Sequence, residues 1–278
     1  MEDLTNNSQK AIFSASGGRS NAKGGYRLLA NKKFTLDKMQ QGVTEETIAA
    51  MAGESVVLLI QDTTDANYNT HKKTVGLGYS SENVLGVKIH TCWLDTMRET
   101  TALIPKNITA ITLCDRECDF YEFYGVSGTV EVNIPRDNRR NIKARTAEME
   151  ISFAQVTLPK PLIRKEEHLV DSVTMNVVRI VEKNPPANCE PIKWFLATNL
   201  PINSAEDAFK IVQYYVQRWK IERFHYVLKN GCSIEKIQQR TYNGIVKMIL
   251  IYSTIAAYIL AMTLTAQNST EAMCDSFF

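Results

Sequence analysis

The densest set of reactive side chains lies between Tyr214 and Gly231, in YYVQRWKIERFHYVLKNG. Counting about 100° per residue from Tyr215, the side chains of Arg218, Glu222 and Lys229 fall near 300°, 340° and 320°, so the four share roughly 60° of one helix face. A carboxylate is thereby flanked by two cations and a phenol. Alone, this is either a solvated stripe with an i,i+4 Arg218–Glu222 pair, worth about a few tenths of a kcal/mol, or part of a site. Two aspartates favour the site. Asp62 follows the apolar run Val56-Val57-Leu58-Leu59-Ile60, and Asp115 follows Ile111-Thr112-Leu113-Cys114. Carboxylates brought from two strand tips and one helix are the hard oxygen donors that a pair of Mg²⁺ ions about 3.5–4 Å apart requires. Such ions activate a water or a 3′-hydroxyl and stabilise the leaving oxygen in phosphoryl transfer. Beside them, Arg218 and Lys229 are placed as phosphate clamps.

The elements that must hold these groups follow from the same runs. The first and second apolar runs predict strands buried on both faces, with their aspartates at the carboxyl ends where α/β sheets gather functional groups. Gly76 to Asp95 alternates around a Ser80 to Asn83 turn as a hairpin would, and a third strand is expected over Thr129 to Ile134, stopping at Pro135. Ile151 to Leu158 and Ser172 to Val181 are short β-branched runs set off by Pro159 and Pro161 and by Pro185-Pro186, which predicts an antiparallel β insertion over 136–191. Lys193 to Thr198 returns to a buried strand. Asn203-Ser204-Ala205-Glu206-Asp207 supplies a cap and an acidic first turn, so one long helix is expected to run to about Lys229, ended by Gly231. Residues 1–52 read as a short helical lead-in, helical around Tyr26 to Asn31 and Leu36 to Ala52, and 53–135 with 192–278 as the catalytic core.

The 278 residues, 44% hydrophobic and 22% charged, are those of an ordinary globular chain with a sizeable core and exclude a disordered or fibrous one. Thirty-two Lys and Arg against 30 Asp and Glu leave a charge of +2, so a polyanion would have to be held by a local patch. The six cysteines contain no C-x-x-C pair and read as reduced, buried thiols, and MEDLTNNSQK is no secretory leader, which together read as intracellular. Met248 to Leu264 is uncharged over about 17 residues, at the lower edge of a membrane span. Its polar residues are spread through it, so a buried core helix is expected, with Lys247 as a flanking charge.

Asp62 in LIQDTT, Asp115 in CDRECDFYEFY, and Tyr215, Arg218, Glu222 and Lys229 in the spacing Y-x2-R-x3-E-x6-K resemble the DDE cut-and-paste transposases of bacterial insertion sequences, in the subgroup named for that Tyr-Arg-Glu-Lys signature. The resemblance runs from about Gly25 to the end of the chain and includes WFLATNLPINSAEDA. It implies a ribonuclease-H-like α/β fold, a mixed sheet flanked by helices, with an antiparallel β insertion before the last catalytic helix. It implies that Asp62, Asp115 and Glu222 hold two Mg²⁺ ions, with Mn²⁺ as a substitute, and that Tyr215, Arg218 and Lys229 contact phosphates near the cleaved end. The implied reaction nicks the end of a mobile element, forms a hairpin through the freed 3′-hydroxyl, reopens it with water and joins the ends to target DNA. Trp194 stands where relatives place an indole that stacks on a flipped base; the plainer reading is a core residue at a strand start. The implied partner is double-stranded DNA, both element ends and target, in a bacterial cytoplasm at the nucleoid, with no membrane.

Two departures from that pattern are expected to matter. Relatives present a phosphate-binding arginine where this chain has Asn133, so either Arg136 takes that role or this hold on the phosphate is missing. The family's full-length members have a longer basic N-terminal region and a C-terminal part that pairs two subunits into a homodimer. Here the first reads as short and the second as cut off after Phe278. A truncated derivative that binds DNA or blocks partner subunits without catalysis is therefore the competing reading, ahead of a metal-dependent nuclease and of a membrane-anchored protein. Asp119 and Glu117 read as solvated acids near Asp115, and His225 as a group that approaches DNA, positions Glu222 or makes a structural hydrogen bond. Arg136, Arg139, Arg140, Lys143 and Arg145 read equally as a solvated face or a DNA-backbone groove.

Overall fold

The computed structural model describes residues 18–71, 73–89, 99–114, 128–134, 143, 145–159, 170–187 and 189–268. Asp115, Glu117, Asp119, Arg136, Arg139, Arg140, His90, His168 and the chain end at Phe278 lie outside them. The chain divides into two compact units, Met1–Cys114 with Arg218–Phe278, and Asp115–Gln217.

In the first unit α2 (Leu36–Ala50) falls where the lead-in predicts a helix, whereas α1 (Arg19–Ala30) starts well before the expected Tyr26, and Thr35 caps α2 by accepting from the Lys38 amide. Strand β1 (Val56–Gln61) pairs in parallel with β5 (Thr109–Cys114), with Val57 opposite Ala110 and Gln61 opposite Cys114. Contrary to expectation, β1 is not buried on both faces: Val56 is exposed and the next four residues are half-buried. Among the described residues this sheet has only two strands, so one partner covers one edge and little covers the faces.

A second sheet, ordered β2-β4-β3, joins β2 (Thr64–Asn67) to the predicted hairpin β3 (Gly78–Ser81) and β4 (Val84–Ile89). Strand β2 has no apolar signal. It forms because Gly86 lets Ala66 come close: a β-carbon on Gly86 would sit 2.1 Å from the Ala66 carbonyl oxygen.

The core of this unit is built on α5 (Tyr242–Asn268), which presents Ile245, Met248, Ile249, Tyr252, Ile255 and Ala256 at helical spacing to Tyr68, Leu228 and Ile234. The helix is long and apolar enough to cross a bilayer, yet this face is packed inside the protein. Lys247 is no flanking surface charge. It is buried, its Nζ donates to the Leu29 carbonyl at 2.9 Å, and it lies 5.5 Å from the Phe34 ring centroid. A cation is thus held on the last turn of α1, where carbonyls lack intrahelical partners.

The second unit is one antiparallel sheet ordered β6-β7-β8-β9, comprising β6 (Gly128–Ile134), β7 (Arg145–Pro159), β8 (Ser172–Glu182) and β9 (Lys193–Thr198). Ala147, Met149 and Ile151 alternate inward along β7, and Val178 and Ile180 do so on β8, with Ile151 opposite Ile180 and Ile180 opposite Trp194. Helix α3 (Ala205–Gln217) covers that face with Ala208, Ile211 and Val212. Its start is a reciprocal cap: Ser204 Oγ accepts from the Asp207 amide at 3.2 Å, and Asp207 Oδ2 accepts from the Asn203 amide at 3.0 Å.

Arg145 is not part of a basic loop. It opens β7 and forms a bidentate pair with the buried carboxylate of Glu182, whose second oxygen also accepts from the Ile192 amide. The arginine and that amide hold the Glu182 carboxyl below its ordinary range, the guanidinium being the larger cause. The cysteines also differ from expectation. Cys232 is buried, and its thiol is pushed up to about 11, but Cys114 is exposed and Cys189 half-buried.

Candidate active site

The predicted long helix is interrupted. Helix α3 ends at Gln217; Arg218 keeps helical dihedrals, and α4 (Trp219–Tyr226) follows and runs into a π turn over Val227–Gly231 closed by the Cys232 amide on the Val227 carbonyl at 2.8 Å. The helical run does stop at Gly231, with Cys232 as its cap, and the residue that turns left-handed beyond it is Ser233, at φ 50, ψ 43, rather than the glycine. A π turn advances less than 100° per residue, so Lys229 lags behind the position that uniform helix counting assigns it.

Within the first unit α4 lies against β1. Asp62 directly follows β1, its Oδ1 accepts from the Thr63 amide at 2.8 Å, and its Oδ2 is 3.9 Å from His225 Nδ1. His225 is one helical turn after Glu222, so the carboxylates of Asp62 and Glu222 sit on elements that meet. The imidazole faces Asp62. Burial lowers the His225 pKa, the Asp62 charge raises it and the Lys229 charge lowers it, for a net shift downward.

Glu222 is substantially exposed, and one of its oxygens accepts from Arg218 Nη2 at 3.2 Å. Arg218 is buried, with its guanidinium 5.2 Å from the Trp219 ring centroid. The i,i+4 pair is thus real, but it is not the solvated stripe of the plainer reading: a buried arginine fixes the rotamer of an exposed carboxylate. Lys229 is half-buried in the π turn.

In the second unit, Trp194 and Tyr215 meet edge to face, 5.4 Å between centroids, and both pack half-buried against the sheet core. Asn133 is on β6 opposite Thr146.

Among the described residues no group of three His, Cys, Asp or Glu side chains converges on a metal position, and Asp115 is outside them. The donors present are nonetheless of the right kind. Asp62 and Glu222 are acceptor-only hard oxygens whose side chains are 26% and 44% exposed, which leaves room for the waters and phosphate oxygens that complete a Mg²⁺ shell built on one or two carboxylates. The His225–Asp62 contact has no sequence signal, because it joins a strand end to a helix far along the chain.

Residues 131–260 match the family model described as Transposase DDE domain. The matched stretch is just under half of the chain. It contains Trp194, Tyr215, Arg218, Glu222 and Lys229 but neither aspartate. The match supports a transposase of the DDE kind, a group of polynucleotidyl transferases that act on DNA and generally use divalent metal ions. The mixed α/β architecture, with parallel and antiparallel sheets and helices, is in keeping with it.

Proposed function

We propose that this chain is a cut-and-paste transposase of the Tyr-Arg-Glu-Lys subgroup from a bacterial insertion sequence, in which Asp62, Asp115 and Glu222 hold two Mg²⁺ ions, replaceable by Mn²⁺. One observation carries the reading. Strands β1 and β5 are parallel with Gln61 opposite Cys114, and the next residue of each chain segment is Asp62 or Asp115. Parallel neighbours are about 4.8 Å apart, so the two strand ends that precede the aspartates in sequence are adjacent, and the helix bearing Glu222 lies against β1.

When bound, the ions would supply Lewis acidity for a water or 3′-hydroxyl and for the leaving oxygen. The chain's own residues do the positioning. Arg218 holds one oxygen of Glu222, leaving the other for a metal. The Thr63 amide and His225 orient Asp62. Lys229, Tyr215 and Arg218 contact phosphates of the strand end, Arg136 takes the role of the arginine that Asn133 replaces, and Trp194 stacks on a base displaced during hairpin formation. The core is ribonuclease-H-like, spanning 53–135 and 192–278, with the 136–191 insertion and the 1–52 lead-in. Its setting is the cytoplasm at the nucleoid, and the homodimer on two element ends is the form expected of the full-length family.

Cleavage of duplex DNA carrying the sequences that flank its own reading frame tests this. Nicking is expected with Mg²⁺ and is expected to fall about 1000-fold or more in Asp62→Asn and in Asp115→Asn, corresponding to about 4 kcal/mol of barrier, while DNA binding persists. Undiminished cleavage by either variant removes the assignment. A wild-type chain that binds this DNA without cutting it would instead favour the non-catalytic, inhibitory derivative.

A further inference from the structure

We infer that Tyr68 is a positioning residue for the carboxylate site: its hydroxyl, bonded to the Ile234 carbonyl, fixes how far the strand tip carrying Asp62 stands from the helix carrying Glu222. The inference rests on the reading that these carboxylates hold metal ions. Tyr68 directly follows β2, is wholly buried, and donates to that carbonyl at 2.7 Å. Burial and the nearby Glu235 charge both push the phenol above its ordinary range, so it stays a donor at neutral pH.

A phenol taken out of water needs an acceptor, and this one finds it on a distant part of the chain. Ile234 opens the short turn Ile234–Lys236, immediately after left-handed Ser233 and close behind the π turn that extends α4. Its carbonyl also accepts from the Ile237 amide at 3.2 Å, so the turn itself holds the acceptor in place. Beside it the Asn67 amide donates to Glu235 Oε1 at 2.9 Å. Leu228, Cys232 and Ile234 are buried in the same core as Tyr68, which anchors the π turn and the turn after it.

These bonds close a circuit. From Asp62 the chain runs through β2 to Tyr68, crosses the phenolic hydrogen bond to Ile234, and returns through Ser233 and the π turn to His225, whose Nδ1 is 3.9 Å from Asp62 Oδ2. Lys229 lies inside this circuit and Glu222 one turn before its return. A π turn and a left-handed residue are held by their surroundings and not by a regular helix, so the backbone there is set by what it is tied to. Apolar packing decides which segments are neighbours but is non-directional; the hydrogen bond supplies distance and direction. A second tie, Thr74 Oγ1 on the Gln239 carbonyl and the Val75 amide on the Arg240 carbonyl, both at 2.9 Å, holds the same two segments together farther along. Tyr68→Phe therefore removes a constraint on the site while keeping the packing.

Mn²⁺ binding to the full chain without DNA, read from the electron paramagnetic resonance signal of the free ion, tests this. Tyr68→Phe should weaken Mn²⁺ binding about tenfold and lower Mg²⁺-dependent cleavage about 30-fold, as when a group that orients a metal ligand is lost. Ile255→Val, in the same core but on neither tied segment, should lower Tm comparably and bind Mn²⁺ as wild type does. Wild-type affinity in Tyr68→Phe, or an equal loss in Ile255→Val, overturns the inference. Should Tyr68→Phe not fold, the bond beside it decides: Glu235→Ala loses the acceptor for the Asn67 amide and should weaken binding about threefold, whereas Glu235→Gln keeps an acceptor oxygen and should not. Equal affinities in those two variants then overturn it. The two readings fail differently: Mn²⁺ binding lost in Asp62→Asn but intact in Tyr68→Phe sinks the positioning role alone, whereas wild-type affinity in Asp62→Asn removes the carboxylate site on which that role rests.

Discussion

The two units place their irregularities differently. The four-stranded unit is regular: Met149, Val177, Val178 and Ile180 are fully buried, its helix starts in a reciprocal N-terminal cap, and its buried carboxylate is satisfied by Arg145 and the Ile192 amide. The other unit has a two-stranded parallel pair among its described residues, a close-approach glycine, a π turn, a left-handed serine and a buried lysine held by a backbone carbonyl. Of the proposed site residues, Asp62, Arg218, Glu222 and Lys229 belong to that less regular unit. Regular pairing maximises satisfied hydrogen bonds and packing, whereas strand tips and widened turns leave carboxylates facing water, where a metal and a phosphate can reach them.

If this contrast is right, the largest purely structural loss should come from the regular unit. Glu182→Gln leaves Arg145 without its counter-charge and should cost about 3 kcal/mol, read by urea denaturation, with no change in the salt slope of DNA binding. The pair also sets a pH dependence. Because the folded carboxyl is held below its unfolded range, its contribution is present above the unfolded value of about 4.3 and is lost as pH falls through the depressed folded value. Glu182→Gln should therefore flatten the acid limb of the stability curve.

Gly86→Ala forces β2 and β4 apart and should cost about 2 kcal/mol. Because β2 begins two residues after Asp62, cleavage should suffer with it, which the Glu182 variant should not reproduce. Ser233→Gly works in the opposite sense: relieving a left-handed serine should stabilise by about 1 kcal/mol, visible as a raised Tm. The smallest effect sharpens the comparison most. Lys229→Ala should lower the salt slope of DNA binding by about 0.9 with Tm unchanged; a changed Tm with an unchanged slope would make the π turn a structural device and not a phosphate contact.

Much of this is readable where periodicity is local. The strands at Val56, Ile111 and Lys193 and the Ser204 cap announce themselves by apolar runs and by side chains that can bond a nearby amide. Thr64-Asp65-Ala66-Asn67 does not, since its strand exists only because Gly86, distant in sequence, admits it. Helix counting places Arg218 and Glu222 together correctly, because both precede the π turn. It takes no account of the π turn that carries Lys229, because hydrophobic pattern does not reveal where a helix widens. His225 is ambiguous in the sequence because its partner Asp62 comes from another part of the chain. Arg145 looks like one more basic residue until its partner across the sheet is seen.

The buried ammonium of Lys247 limits how the protein can be shortened. Its acceptor is a carbonyl 218 residues earlier in the chain, on the last turn of α1. Deleting α1 would strand a charge in the apolar interior beside Ile245 and Met248, so the core helix and the first helix stand or fall together. A protease that removes the segment through Leu29 should leave a product that aggregates.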